Sequence, residues 1–181
     1  GSFMAATGKH FPGHGGVSAD SHHETPLDQR SLEELRGHDL IPFTSLADSL
    51  DAIMPAHIIY PKIDLNAVGF SELWLKKILR QELKFDGIIF SDDLSMKGAD
   101  IVGGYTNKAK AALQAGCDMV LVCNNRKGVI EVLDFLESYN WLPSARLSRM
   151  SRQVTLSWDS LIEDDRWKSV NAKLLALPKG K

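Results

Sequence analysis

Four short apolar runs divide this 181-residue chain, and each is followed by a segment with helical periodicity. The runs begin near residues 4, 52, 87 and 118. Apolar runs that do not alternate with polar residues are typical of strands buried on both faces, as in a parallel sheet covered by crossover helices. The pattern therefore predicts four βα units and an α/β fold. The second run, residues 51–60, is interpreted as one strand followed by a loop.

The segments between the strands carry helix start and stop signals. Ser31, with Glu34 three residues later, is a capping-box signature and predicts a helix that is broken near Gly37 or Pro42. Apolar residues recur at helical spacing over residues 71–83, which predicts an amphipathic helix. The other predicted helices cover residues 107–115, 127–138 and, beyond Pro143, 146–161.

Two architectures place parallel strands between helices: the closed (β/α)₈ TIM-type barrel and the open doubly wound sheet. Chemically active residues follow at least three of the four runs, and no Gly-x-Gly-x-x-Gly phosphate loop occurs, which favours the barrel. A complete barrel takes about 250 residues. We therefore expect residues 1–181 to be the C-terminal half of one barrel domain, with Gly1-Ser2 a tag remnant. A half-barrel leaves two strand edges unpaired, so it requires the other half or self-association.

Composition narrows the function classes. The chain is 44% hydrophobic and 24% charged with a net charge of −2, so neither nucleic acid nor a membrane is an expected partner. The absence of a secretory pattern predicts a cytoplasmic protein. Cys117 and Cys123 lack the companions of a zinc site or a disulfide framework, and we expect both to be buried free thiols.

Residues 8–22 have the highest density of potentially reactive side chains in the chain. Histidines, a lysine and an aspartate lie there among glycines. One interpretation is a metal site, and its ligands would be His10, His14, His22 and His23. In a second interpretation Asp20 hydrogen-bonds His22 and makes it a general acid/base. A solvated Asp–His pair is the plain alternative. The residues by themselves leave all three open.

Asp92 and Asp93 directly follow the third apolar run. A carboxylate there is costly unless it is paired or open to a cleft, so either residue is a candidate metal ligand, helix cap or nucleophile, and spacing does not rank them. In a barrel, Asp92 would face the histidine loop, which is the arrangement of a retaining glycosidase. Lys9 and His57 end the first two strands. His57 either contacts substrate in the site wall or is hydrogen-bonded inside the rim.

The motifs KHFPGHGGVSADSH, AIMPAHIIY, FDGIIFSDDLSM and AGCDMVLVCNNR closely resemble those of the bacterial β-N-acetylglucosaminidases in glycoside hydrolase family 3. The resemblance covers nearly the whole chain in the right order. It implies a single-domain barrel, a retaining mechanism without metal or organic cofactor, and N-acetylglucosamine-containing muropeptides from cell-wall recycling as substrate.

The resemblance also implies roles for individual residues. Asp92, after the serine of the SDD motif, matches the nucleophile. His22 matches the proton-transfer residue and Asp20 the carboxylate that orients it. Lys9 and His10 match residues that contact sugar hydroxyls.

One departure from the family pattern affects the expected activity. Family members bring an aspartate and an arginine from the first half of the barrel to the sugar, and this chain has no counterpart of either. We therefore expect this polypeptide alone to be weakly active or inactive. A metal-dependent hydrolase that uses the histidine cluster, or a non-catalytic half-barrel, is the alternative function.

Overall fold

The computed structural model describes residues 4–17, 25–151 and 157–177. The chain divides into two compact units, Ala5–Ser151 and a unit comprising Gly1–Met4 and Arg152–Lys181. The first unit contains a parallel sheet and its helices. None of the helices in the described ranges is long and apolar enough to cross a membrane.

The four predicted parallel strands are confirmed. The strands of the first unit are β1 (Thr7–Phe11), β2 (Ala52–Pro55), β3 (Ile59–Tyr60), β4 (Asp64–Ala67), β5 (Ile88–Asp93) and β6 (Met119–Leu121). The main sheet has the order β1-β2-β5-β6, and each neighbouring pair is parallel. Because consecutive parallel strands lie side by side, their carboxyl ends meet at one edge of the sheet.

The prediction of one strand over residues 51–60 is wrong. β2 ends at Pro55, and the chain then leaves the main sheet to form β3, which pairs antiparallel with β4. Pro55 has no N–H to donate to β1, but Ala56 still donates to the carbonyl oxygen of Phe11 at 2.8 Å before the chain turns toward β3. Ile59 instead exchanges backbone hydrogen bonds with Pro26 and Asp28.

The helices of the first unit lie close to their predicted positions. The capping box of Ser31 and Glu34 is present at the start of the first helix, and the break follows Gly37 rather than Pro42. These helices are α1 (Leu32–Gly37), α2 (Leu40–Leu46), a π-type helix (Leu73–Glu82), α3 (Tyr105–Ala115) and α4 (Arg126–Tyr139). Short 3₁₀ turns cover Ala47–Ser49, Val68–Phe70, Lys97–Val102 and Ala145–Met150.

The C-terminal prediction is wrong in part. A helix over 146–161 is not formed, since residues 145–150 make a 3₁₀ turn and residues 152–156 lie outside the described ranges. The second unit contains α5 (Trp158–Glu163) and α6 (Asp165–Leu175). Each begins at a side-chain cap, Ser157 for α5 and Asp164 for α6, and such caps satisfy the amides of a helix's first turn.

An aromatic cluster fills the space between the carboxyl end of β1 and the surrounding helices. Phe11 is fully buried and contacts Phe43 and Trp74 edge-on, at centroid distances of 5.3 and 6.0 Å. Tyr60 lies 5.2 Å from Trp74. Aromatic pairs in these geometries contribute about 0.5–1.5 kcal/mol beyond area burial, so this cluster holds the end of β1 in place.

An ion pair joins the opposite, amino-terminal ends of β5 and β6. Arg80 donates to Asp118 at 2.7 Å and to the carbonyl of Phe85 at 2.9 Å. Asp118 also accepts the amide of Ile89 at 2.8 Å. The Arg80 guanidinium therefore connects the π-type helix to both strands at the end of the sheet that carries no candidate catalytic group.

Substitution of Gly87, which precedes β5, tests the packing at the amino-terminal end of the sheet. A Cβ there would lie 2.5 Å from the carbonyl oxygen of Asp51, which already accepts the amide of Ile88. We expect Gly87→Ala to destabilise the chain by about 1–3 kcal/mol, because neither backbone segment can move freely. Urea denaturation measures this change. Gly37→Ala is the matched control, since nothing lies within 4 Å of its Cβ; equal effects of the two substitutions would contradict the prediction.

Candidate active site

The carboxyl end of β5 carries a chain of hydrogen-bonded side chains. The hydroxyl of Ser91 accepts the amide of Leu121 at 2.9 Å. Asp93 accepts the amides of Ser95 and Cys123, both at 2.9 Å, and the hydroxyl of Ser95. Burial by itself raises the pKa of Asp93, but these hydrogen bonds outweigh it and hold the pKa below its ordinary value.

Asp92 has a different environment, which distinguishes the two aspartates that spacing left unranked and that the family resemblance alone had separated. One oxygen of Asp92 accepts the amide of Asp93 at 2.8 Å. The other, Oδ2, lies 3.8 Å from Nε2 of His10, at the end of β1. The Asp93 carboxylate is committed to local backbone and hydroxyl donors, whereas Asp92 directs an oxygen toward a second strand end. Asp92 is therefore the candidate nucleophile.

The end of β1 supplies the second side of the site. His10 keeps 35% of its side chain exposed beside Asp92, whose side chain is 10% exposed. Lys9 precedes it in β1, pairs with Met54 of β2 and is exposed. The structure thus brings His10 and Asp92 together across the sheet and leaves the Lys9 ammonium in contact with solvent.

Asp20 and His22 lie outside the described residues, as does His23. The acid/base pair therefore stays a prediction from the sequence motif. Among the described residues no group of three or more His, Cys, Asp or Glu side chains is placed to hold a metal ion.

The described stem of the histidine loop packs on an ion-pair cluster. Arg30 donates to both oxygens of Asp28, at 3.0 and 2.7 Å, and also to Asp39. A Cβ on Gly16 would lie 2.6 Å from Asp28, and one on Gly13 2.5 Å from Asp39. Gly13 also has a φ of +141°, so a side chain there would be both strained and crowded, whereas at Gly16 a Cβ would require the Arg30 and Asp28 side chains to shift. Sequence reasoning missed this cluster, since an Asp-x-Arg spacing is too common to be informative.

His57 is fully buried, which matches the second of its two interpretations. Its Nε2 lies 3.1 Å from the carbonyl oxygen of Asp93, and its ring stacks on Phe70 at a centroid distance of 5.5 Å. Burial holds the pKa of His57 below its ordinary value, so the ring is neutral near pH 7. A carbonyl oxygen only accepts hydrogen bonds. Nε2 therefore carries the proton and donates a hydrogen bond to the carbonyl oxygen of Asp93.

The cysteine prediction is half right. Cys117 is buried, and burial raises the pKa of its thiol. Cys123 lies two residues beyond β6 and is exposed, and its amide donates to the carboxylate of Asp93.

The family model described as the glycosyl hydrolase family 3 N terminal domain matches residues 1–156. The chain belongs to glycoside hydrolase family 3. The predicted family and the partial (β/α) barrel are thereby confirmed, and the Asp92–His10 pair lies within the part of the chain that the family model matches.

Similar family 3 proteins are about twice as long as this chain. A beta-hexosaminidase of Idiomarina loihiensis is 54% identical over 167 residues, which are 91% of this chain and 51% of the relative. A beta-hexosaminidase of Pseudomonas aeruginosa is 59% identical over 147 residues. The structure of NagZ from Neisseria gonorrhoeae in complex with N-trifluoroacetyl-D-glucosamine superposes with a TM-score of 0.79 at 38% identity, covering 97% of this chain and 51% of NagZ.

The hydrogen bonds of Asp93 predict a pH dependence of stability. An aspartate whose pKa is lowered by folding stabilises the protein above its unfolded-state pKa, and this contribution is lost as the pH falls through the folded-state value. We expect Asp93→Asn to cost about 1–2 kcal/mol at pH 7. The difference from wild type should shrink as the pH falls below about 4.

Urea denaturation at pH 7, 4 and 3 measures this difference. Asp48→Asn is the control, because Asp48 is exposed in a 3₁₀ turn. A difference between Asp93→Asn and wild type that is the same at all three pH values would contradict the assignment.

Proposed function

We propose that this chain is the C-terminal half of a retaining exo-β-N-acetylglucosaminidase with Asp92 as its nucleophile. The observation that carries the proposal is the position of Asp92, which directs Oδ2 toward His10 across the carboxyl ends of a parallel sheet. Active sites of (β/α)₈ barrels lie at this end. Beta-hexosaminidase relatives and a relative bound to an N-acetylglucosamine analogue support the substrate class.

The proposed reaction has two steps. The Asp92 carboxylate attacks the anomeric carbon, the glycosidic C–O bond breaks, and the leaving oxygen takes a proton from His22. Water then attacks the anomeric carbon of the resulting ester, gives a proton back to His22 and releases both the sugar and the carboxylate. The anomeric configuration is inverted twice and therefore retained.

The other residues bind the sugar or orient the groups that react with it. Asp20 would hydrogen-bond His22 and fix its tautomer, and support for this role comes from the DSH motif alone. Lys9 and His10 would contact sugar hydroxyls. Their positions at the end of β1 are consistent with this, since His10 is partly exposed beside Asp92 and Lys9 is exposed. The buried His57 has no surface with which to contact a substrate directly.

The proposals for the specific substrate and for the cellular compartment rest on the resemblance of the sequence motifs. We propose N-acetylglucosamine-containing muropeptides as substrates and the cytoplasm as their location. The parent protein, meaning a polypeptide of the relatives' length that contains this chain, would supply the remaining strands of the barrel and the rest of the sugar-binding wall. In its absence, self-association of the open sheet is the alternative way to cover the edges of β1 and β6.

The nucleophile is tested in the parent protein with a chromogenic N-acetyl-β-glucosaminide. We expect Asp92→Asn to lower kcat by on the order of 10³-fold or more, because no covalent intermediate can form. Asp93→Asn should retain more activity than Asp92→Asn, since Asp93 only orients the turn. Proton NMR of the first product should show the β-anomer.

Two outcomes would overturn the assignment. An Asp92→Asn protein with wild-type turnover has a different nucleophile, and an initial α-anomer excludes the retaining mechanism. The same assay with a metal chelator added tests the alternative that the protein is a metal-dependent hydrolase. Loss of wild-type activity on chelation would favour that alternative.

The half-barrel proposal predicts that this 181-residue chain by itself turns over the same chromogenic substrate weakly or not at all. Co-expression with the remainder of the parent protein should restore activity, because that part supplies the missing sugar contacts. Size-exclusion chromatography with mass determination shows whether the chain alone self-associates. Full turnover by the monomeric chain alone would contradict the proposal.

A further inference from the structure

We propose that His57 and Lys108 are positioning residues for the Asp92 carboxylate, and that they act by holding the two backbone carbonyls that follow it. The inference rests on the proposed role of Asp92 as nucleophile. Neither residue needs to touch substrate, because each contacts the backbone of the turn that carries the carboxylate.

His57 holds the first carbonyl. Its Nε2 donates to the oxygen of Asp93 at 3.1 Å, and the ring is fixed from one side by stacking on Phe70. Nδ1 is buried and has no hydrogen-bond partner among the described residues. The ring is therefore placed for the single contact that it makes with the turn, although burying the second nitrogen carries a desolvation cost.

Lys108 holds the second carbonyl. It lies in α3 with only 5% of its side chain exposed, and Nζ donates to the oxygen of Leu94 at 2.8 Å and to Asp100 at 2.6 Å. Nζ also lies 5.1 Å from the ring centre of Tyr105. A buried ammonium is costly, and an apolar residue of similar size would fill the same space without that cost. What the ammonium adds is a donor to the turn after Asp92.

The two donors act on one short segment. Asp92 and Asp93 end β5, and the amide of Leu94 donates to the carbonyl of Leu121 at 2.9 Å. His57 and Lys108 then hold the carbonyls of Asp93 and Leu94 from the interior. The Leu94 amide and the carbonyls of Asp93 and Leu94 therefore all have hydrogen-bond partners. These bonds restrict the backbone of the turn to one conformation, and that conformation sets the direction of the Asp92 side chain.

The pair is tested in the parent protein with the chromogenic substrate. We expect Lys108→Met and His57→Leu each to lower kcat on the order of 10- to 100-fold, since small displacements of a reacting group cost rates of this size. KM should change by less than about two-fold, because the sugar contacts are untouched. His57→Gln, which can place an N–H near the position of Nε2, and Lys108→Arg, which keeps the cation, should recover most of kcat.

Lys110→Met is the matched control, since Lys110 is an exposed lysine in the same helix. Circular dichroism at the assay temperature gives the folded fraction of each variant, by which kcat is corrected. A purely structural role would lower the folded fraction and leave the corrected kcat at the wild-type value.

The outcomes separate this inference from the proposed function. If Asp92→Asn is inactive while Lys108→Met and His57→Leu keep wild-type kcat, the positioning role is wrong and the nucleophile assignment stands. If Asp92→Asn is fully active, the proposed function itself fails. If Lys108→Met does not fold, His57→Leu decides the question. If neither folds, the pair is required for folding and the positioning role is overturned.

Discussion

The hydrogen bonds of the Asp93 carboxylate are the interaction on which the candidate site depends. The bond donated by the amide of Cys123 connects the end of β5 to the segment that follows β6, across a sequence separation of 30 residues. Hydrogen bonds to a charged acceptor are stronger than neutral ones, so the turn keeps its shape although it lies at a rim. The adjacent Asp92 makes different contacts, and its Oδ2 lies 3.8 Å from Nε2 of His10. Asp93 therefore stabilises the turn, and Asp92 is the proposed nucleophile.

The two ends of the sheet carry different kinds of interactions. At the amino-terminal end Arg80 and Asp118 tie β5 and β6 to a helix, and Gly87 lies against the backbone of Asp51. At the carboxyl end the charged groups of β1 and β5 converge and remain partly accessible. Barrel enzymes divide stability and chemistry between their two ends in this way. Substitutions at the amino-terminal end are therefore expected to change unfolding free energy more than turnover.

The sheet of the described chain has two open edges, at β1 and β6. The main sheet has four parallel strands, whereas a closed (β/α)₈ barrel has eight. The relatives are about twice as long as this chain. His10 lies on β1, an edge strand of the sheet, and Asp92 lies on β5, with β2 between them. The proposed nucleophile and its neighbouring histidine thus lie within one chain, while the proposal assigns the sugar contacts that this chain lacks to the rest of the parent protein.

The sequence by itself determined the parallel strands, the capping box at Ser31 and the motifs that contain Asp92 and His10. Each of these is a local pattern, because apolar runs, caps and motifs are decided within a few residues. Asp20 and His22 remain predictions of the same kind. Tertiary structure alone decided that residues 51–60 divide at Pro55, because a strand's end depends on its neighbours in the sheet.

The tertiary structure also decided which hydrogen bonds Asp92 and Asp93 each make, that His57 is buried, that Cys123 is exposed and that Lys108 reaches the turn after β5. No local pattern contains these features. Each depends on which groups from distant parts of the chain lie beside the residue, and burial and hydrogen bonding are properties of that environment rather than of the residue itself.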